Sequence, residues 1–307
     1  MNEIIMEKYF NQLLPLKPIP TDEKCICRLD NGELTKLKAI LFDVYGTILI
    51  SSSGDVGGLH NVEDNIIKAL LEAGIHFKSK EPNTGLGKEI FEAYCNIIAQ
   101  MHQEAKENNV LCPEVVIEEV WTTLLQLLQQ NNTISSASDI NIKELAVIFE
   151  FLCNPTFPMP GFKDTLNKLT THKFTLGIIS NAQFFTPMLL HFFLGSRPFL
   201  QEENLPFFDN RLLKYSYLER KAKPDIGIFA EVRDSLSNYH ILPEEVLFVG
   251  NDMLKDIYPA HQVNFKTALF AGDKRSLRLR RSEPRVMGLT PDITITSLSQ
   301  ITDILKI

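Results

Sequence analysis

The 307-residue chain lacks any apolar run near the ~20 residues that a membrane-spanning helix requires, so no span is expected. Residues 1–10 carry Glu3, Glu7 and Lys8 and no apolar stretch of the secretory-signal kind. Cysteine is scarce and poorly spaced for a metal. Cys25 and Cys27 are too close for a C-x-x-C pair, and Cys95, Cys112 and Cys153 stand far apart. Five scattered thiols are expected to be reduced and buried, as in a cytoplasmic protein. Strong positive charge is missing too: a net charge of −7 argues against a general nucleic-acid binder. Arginine is absent from residues 29–196 altogether. What remains is an ordinary globular composition, 44% apolar and 22% charged, in a chain long enough for one large or two modest domains.

The stretch around which the chain is organised is 38–47. Ala39, Ile40, Leu41 and Phe42 form a short apolar run of the kind found in the middle of a parallel sheet, and Asp43 ends it. Gly46-Thr47 then turns the chain. Open parallel sheets place their chemistry beyond the carboxyl ends of the strands, which is where Asp43 stands.

Before this strand, residues 1–37 read as an N-terminal extension. Pro15, Pro18 and Pro20 stiffen it, and Asn31-Gly32 suggests a hairpin turn between two short strands. After it, Ser51, Ser52, Ser53, Gly54, Gly57 and Gly58 form a small-residue hinge or flap. Residues 56–155 then change to helical spacing. Stripes run through Ile66, Ile67, Leu70 and Leu71; Ile90, Tyr94 and Ile97; Val120, Leu124 and Leu128; and Leu145, Ile148 and Phe149. About four helices are expected, with Trp121 in their own core. Pro155, Pro158 and Pro160 close the block. From there to the end, strands near 174–179, 212–215, 246–249, 267–270 and 293–295 alternate with helices, the last capped by Ser297. Alternation of this kind implies right-handed βαβ units. The expected fold is α/β, a doubly wound Rossmann-like parallel sheet formed by 38–55 and 156–307 and interrupted by the helical domain 56–155.

Four motifs fall at or just after strand ends: Asp43-x-Tyr45-Gly46-Thr47, Ser180-Asn181, Lys223-Pro224-Asp225, and Gly250-Asn251-Asp252-x-x-x-Asp256. In this order, with a helical block between the first and second, the chain resembles the haloacid dehalogenase (HAD)-like hydrolase superfamily over roughly 38–307. The resemblance implies that the block is a cap domain and that Asp43 is a nucleophile forming a covalent aspartyl intermediate. It implies Mg²⁺ held by Asp43, the backbone carbonyl of Tyr45, Asp252 and Asp256. Ser180 and Asn181 would hold phosphoryl oxygens, Lys223 would join Asp43 to the phosphoryl group, and Thr47 belongs to the catalytic loop. A carboxylate attacking a phosphoryl group needs charge neutralisation of that kind.

The pattern departs from the phosphatases at Tyr45, where they carry a second Asp as general acid and base. Such help is typically worth about 10²–10⁴-fold. Asp-x-Tyr-Gly-Thr resembles the 2-haloacid dehalogenase branch, but that branch uses a cap arginine and a tyrosine six residues after the lysine. Here the cap has no arginine and the position is Phe229. The phosphonate-cleaving branch uses a cap lysine, for which Lys68, Lys78, Lys80 and Lys88 are available. The expectation is a Mg²⁺-dependent phosphatase for a small phosphorylated molecule, slow or restricted to leaving groups that need no acid. Alternatives are a carbon–halide hydrolase and a catalytically weak phosphate-binding or protein-interaction module. For the last, the basic run Lys274, Arg275, Arg278, Arg280, Arg281 and Arg285 is a candidate surface, though the simpler expectation is the solvated face of a helix.

Overall fold

The structure, a computed structural model, describes residues 9–53, 61–78, 84–135, 139–196 and 204–307. It forms two compact units, residues 1–14 with 56–155 and residues 15–55 with 156–307. In the second unit the chain begins with β1 (Ile26–Cys27), α1 (Asn31–Leu34), β2 (Ala39–Phe42) and β3 (Leu49–Ser51). The first unit contributes α2 (Val62–Glu72), α3 (Thr84–Glu107), α4 (Ile117–Gln130) and α5 (Ile142–Cys153). The chain returns through β4 (Thr156–Pro158), α6 (Phe162–Thr171), β5 (Thr175–Ser180), α7 (Phe185–Leu194), β6 (Leu213–Tyr215), α8 (Ser216–Glu219) and α9 (Ile226–Ser237). It ends with β7 (Val246–Gly250), α10 (Tyr258–Gln262), β8 (Lys266–Phe270), β9 (Ile293–Ile295) and α11 (Ser299–Leu305).

Seven strands form one sheet in the order β1-β9-β8-β7-β2-β5-β6. Six run parallel, and β1 joins the edge antiparallel to β9. The chain starts in the middle at β2, winds outward through β5 and β6, then crosses back to β7 and winds the other way. This is the doubly wound arrangement, and its reversal lies beside β2. All four residues of β2 are fully buried because both faces are covered. Ile40 and Phe42 pack with residues of α6, α7 and α11, while Ala39 and Leu41 pack with α9 and α10. Each large apolar side chain buried there is worth about 1.5–3 kcal/mol. The segments on either side of the helical block, β3 and β4, pair antiparallel with each other.

The helical unit has its own core. Trp121 is fully buried, with Tyr94 and Phe149 each 5.2 Å away between ring centroids. Leu71, placed in the apolar stripe by its spacing, points outward and is exposed. No helix among the described residues is long and apolar enough to cross a membrane.

Four expectations need correction. Asn31-Gly32 opens no hairpin: it begins α1, because Asp30 caps the Glu33 amide and the Glu33 carboxylate accepts from the Asp30 amide. The last helix starts at Ser299 rather than behind a Ser297 cap, since Gln300 takes the Thr296 and Ser297 amides. The thiols of Cys25, Cys27 and Cys95 are exposed and only Cys153 is buried; Cys25 and Cys27 lie at β1, an open sheet edge, and Cys95 on an exposed position of α3. The basic run is not the face of an α-helix between β8 and β9 but follows turns, with one 3-10 turn at Pro284–Val286. Three of its five arginines are held on carboxylates nearby: Arg275 on Asp273, Arg280 on Asp252 and Arg285 on Glu283. Gly54, Gly57, Gly58 and Lys80 lie outside the described residues.

Candidate active site

The site is built on the carboxyl end of β2. The Asp43 amide still donates to the Val249 carbonyl of β7 at 2.9 Å, so the ladder runs up to the reactive residue and fixes its backbone. The chain then turns sharply, with the Ile48 and Leu49 amides both donating to the Val44 carbonyl. Gly46 takes φ +84° in this turn, and a Cβ there would lie 2.5 Å from Ser276 Cβ and 2.6 Å from Asn251 Nδ2. Gly46→Ala is therefore expected to lower stability by about 1–3 kcal/mol, since it is strained and also crowds the site. An unchanged urea midpoint would remove that argument.

The Asp43 carboxylate is buried and surrounded by donors. Lys223 Nζ lies 2.6 Å from Oδ1, Ser180 Oγ donates to the same oxygen at 3.2 Å, and Thr47 Oγ1 reaches Oδ2 at 3.3 Å. Lys223 also meets Asp256 Oδ1 at 2.5 Å, so one buried ammonium serves two buried carboxylates. Burial pulls the Lys223 pKa down, but Asp256 and Asp43 outweigh it and leave it raised. Burial pushes Asp256 up to about 7, opposed by Lys223 and reinforced by Asp43 and Asp252. The charge count explains this: one cation offsets one carboxylate, and the second takes up a proton near neutral pH. Asp256 fits against β7 only because Gly250 has no side chain; a Cβ there would be 2.4 Å from Asp256 Cβ.

Asn181 serves Lys223 rather than presenting its carboxamide to a ligand. Its Oδ1 accepts from the Lys223 amide at 2.7 Å and its Nδ2 donates to the Lys223 carbonyl at 3.2 Å. Tyr45 stands two residues beyond Asp43, and its hydroxyl is 2.8 Å from that of Thr186, which is fully buried at the start of α7.

The last acidic motif divides three ways. The Asp252 carboxylate accepts from the amides of Leu254 and Lys255, opening a single π-helical turn over Met253–Ile257, and it pairs side-on with Arg280 at 2.7 Å. Asp256 is held by Lys223 and by the Asp252 amide. The group that meets Thr47, and through it Asp43, is instead Asn251. Its Oδ1 lies 3.3 Å from Thr47 Oγ1, while its Nδ2 donates to the Ser276 carbonyl at 2.6 Å. One threonine proton thus faces two acceptors, which accounts for both contacts being long.

The fold thus brings Asp43, Thr47, Ser180, Lys223 and Asp256 together and commits Asp252 to an arginine. Among the described residues, no three His, Cys, Asp or Glu side chains come close enough together to share a metal ion. Sequence reasoning missed Asn251, Thr186, Ser276 and Arg280. For Asn251 the signal was present, directly after Gly250 at the strand end; for the others there was none. Phe229 is part of the core, edge-on to Phe248 at 4.9 Å. Lys68 and Lys88 are exposed with glutamates one turn away, and Lys78 bonds Asn132.

Residues 37–264 match the model of a family described as haloacid dehalogenase-like hydrolase. Among solved structures, a 2-haloacid dehalogenase from Pseudomonas syringae pv. Tomato DC3000 is similar, with 18% identity and TM-score 0.55 over 88% of this chain and 98% of that one. A HAD phosphatase from Thermococcus onnurineus, at 18% identity and TM-score 0.46, covers the same shares. No curated protein is matched by sequence.

Proposed function

The chain belongs to the haloacid dehalogenase-like hydrolases, and we propose that within them it hydrolyses a small anionic substrate through an ester formed at Asp43. The observation that carries this reading is the buried contact of Lys223 with Asp43 at 2.6 Å. An ammonium on the nucleophile blunts attack on a neutral centre but offsets the repulsion of an anionic one. A phosphorylated small molecule fits that requirement, with the helical unit, 56–155, as a substrate-selecting cap domain. Tyr45, with its hydroxyl on Thr186, supplies no carboxyl group to protonate a leaving oxygen. A tyrosine of ordinary pKa near ~10 is a poor substitute at neutral pH. The proposed substrates are therefore those whose leaving group departs unprotonated, such as acyl or aryl phosphates.

In the proposed cycle an Asp43 oxygen attacks phosphorus and the leaving group departs with the bonding pair. Water then attacks the aspartyl phosphate and releases inorganic phosphate. Asp256, which titrates near neutral pH, is the group suited to receive the proton of that water. A second reading, displacement of halide from a 2-haloacid, is favoured by one observation: the pairing of Asp252 with Arg280 removes a carboxylate that metal-assisted phosphoryl transfer would use.

A single turnover in ¹⁸O-water separates the two. Phosphoryl transfer is expected to place the label in phosphate, because water attacks phosphorus. Label in the Asp43 peptide instead would mean attack on the carboxyl carbon of an alkyl ester, and the haloacid reading would replace the first. Tyr45→Asp is expected to raise turnover of an alkyl phosphate by about 10²-fold, at the low end of general acid–base help. No gain would mean that position 45 is not the place from which a leaving oxygen is reached.

A further inference from the structure

The family resemblance implies a divalent cation, and the residues around Asp43 disagree with it. Three buried carboxylates stand here, and two fixed cations already engage all three. Asp43 and Asp256 share Lys223, at 2.6 and 2.5 Å, while Asp252 is engaged by Arg280 through both carboxylate oxygens at 2.7 to 3.3 Å. The residue that Thr47 links to Asp43 is Asn251, neutral and 7% exposed, with its amide nitrogen anchored on the Ser276 carbonyl. Mg²⁺ is commonly held by one or two carboxylates with waters and substrate phosphate. Here the carboxylate that Thr47 links to the Asn251 carbonyl is Asp43, which Lys223 already engages.

We infer that this chain works without a divalent cation. Lys223 and Arg280 hold as fixed charges the carboxylates that an ion would otherwise gather, and Asn251 is the residue whose neutrality decides it. The inference rests on the reading of Asp43 as the reactive group, but it does not require either of the proposed substrates. Arg280 also gives the basic run a role: 28 residues from Asp252 in sequence, it is what takes that acid out of competition for a metal.

The test is a titration of the full chain with Mn²⁺, reading free ion by electron paramagnetic resonance. Wild type is expected to bind with Kd weaker than about 1 mM, and Asn251→Asp at least about tenfold more tightly, because a second carboxylate then faces Thr47 beside the Asp43 carboxylate's own contact with it. Turnover by wild type is expected to be unchanged by excess EDTA. Tight Mn²⁺ binding by wild type would overturn the inference. A folded Asn251→Asp protein, checked by circular dichroism, that binds no better than wild type would overturn the role given to Asn251. Should that variant fail to fold, the wild-type titration still decides the main claim. Because Mn²⁺ binding is read directly, a chain that turns over neither substrate class would sink the proposed function while leaving this result intact.

Discussion

Asp43→Asn is expected to abolish turnover, by on the order of 10⁴-fold or more, while the fold survives. An amide oxygen is a weak nucleophile and leaves as no stable ester, so no covalent intermediate can form on that side chain. The fold should tolerate the change for two reasons. Lys223 keeps Asp256 as a partner at 2.5 Å, and the single amide oxygen can still accept from Ser180 while the amide nitrogen donates to the Thr47 hydroxyl. Intact-protein mass spectrometry after rapid quench provides the second readout: a substrate-derived mass is expected on wild type and none on the variant. Retained turnover in a folded Asp43→Asn protein would move the nucleophile elsewhere.

Lys223→Met should be the most destabilising single change at the site. The ammonium is buried and serves two buried carboxylates, so its removal leaves both without a cation. Breaking a buried pair by removing one partner typically costs about 3–5 kcal/mol. In a chain of this size that corresponds to a fall in melting temperature of about 6–20 °C. The loss should depend on pH, and its sign follows from Asp256. Its pKa is raised in the folded protein to about 7, so the folded state holds that proton more firmly than the unfolded chain does. The group's contribution to stability is thus fully present below the ordinary carboxylate pKa of about 4 and is lost as pH rises toward 7. Without Lys223, which lowers it, Asp256 holds its proton more firmly still, so the Lys223→Met deficit should be small at pH 5 and large at pH 8. Lys223→Met with Asp256→Asn should regain part of the stability at pH 8, since one of the two unpaired charges is then gone. An equal deficit at both pH values, with no recovery in the double variant, would show that Lys223 contributes packing rather than charge.

How far the sequence could be read follows from the range over which each signal acts. The alternation of apolar runs with helical stripes is local, and it was enough to set the parallel sheet, the helical insertion and the strand-end positions of Asp43 and Ser180. Lys223 was legible only through the family resemblance, since a lysine before proline is by itself as easily a surface charge at a turn. Where two local readings competed, the sequence could not choose. Asn31-Gly32 is a hairpin signal taken alone, yet Asp30 and Glu33 on either side make it a helix start. Cys25 and Cys27 look like core residues by type, but nothing local says that their strand is an edge.

By itself the sequence determined which chemistry-bearing residues stand at the ends of strands, because strand and turn signals operate over a few neighbours. Only the tertiary structure decided which of them meet. Asp252 and Asn251 are adjacent, but successive residues leaving a strand end diverge, so one is free to pair with Arg280 and the other to contact Thr47. Tyr45 and Thr186 are 141 residues apart, and their hydroxyl contact exists because β2 and α7 pack on the same sheet. Those meetings depend on how loops return the chain across the sheet. That is a property of packing, and no spacing along the chain encodes it.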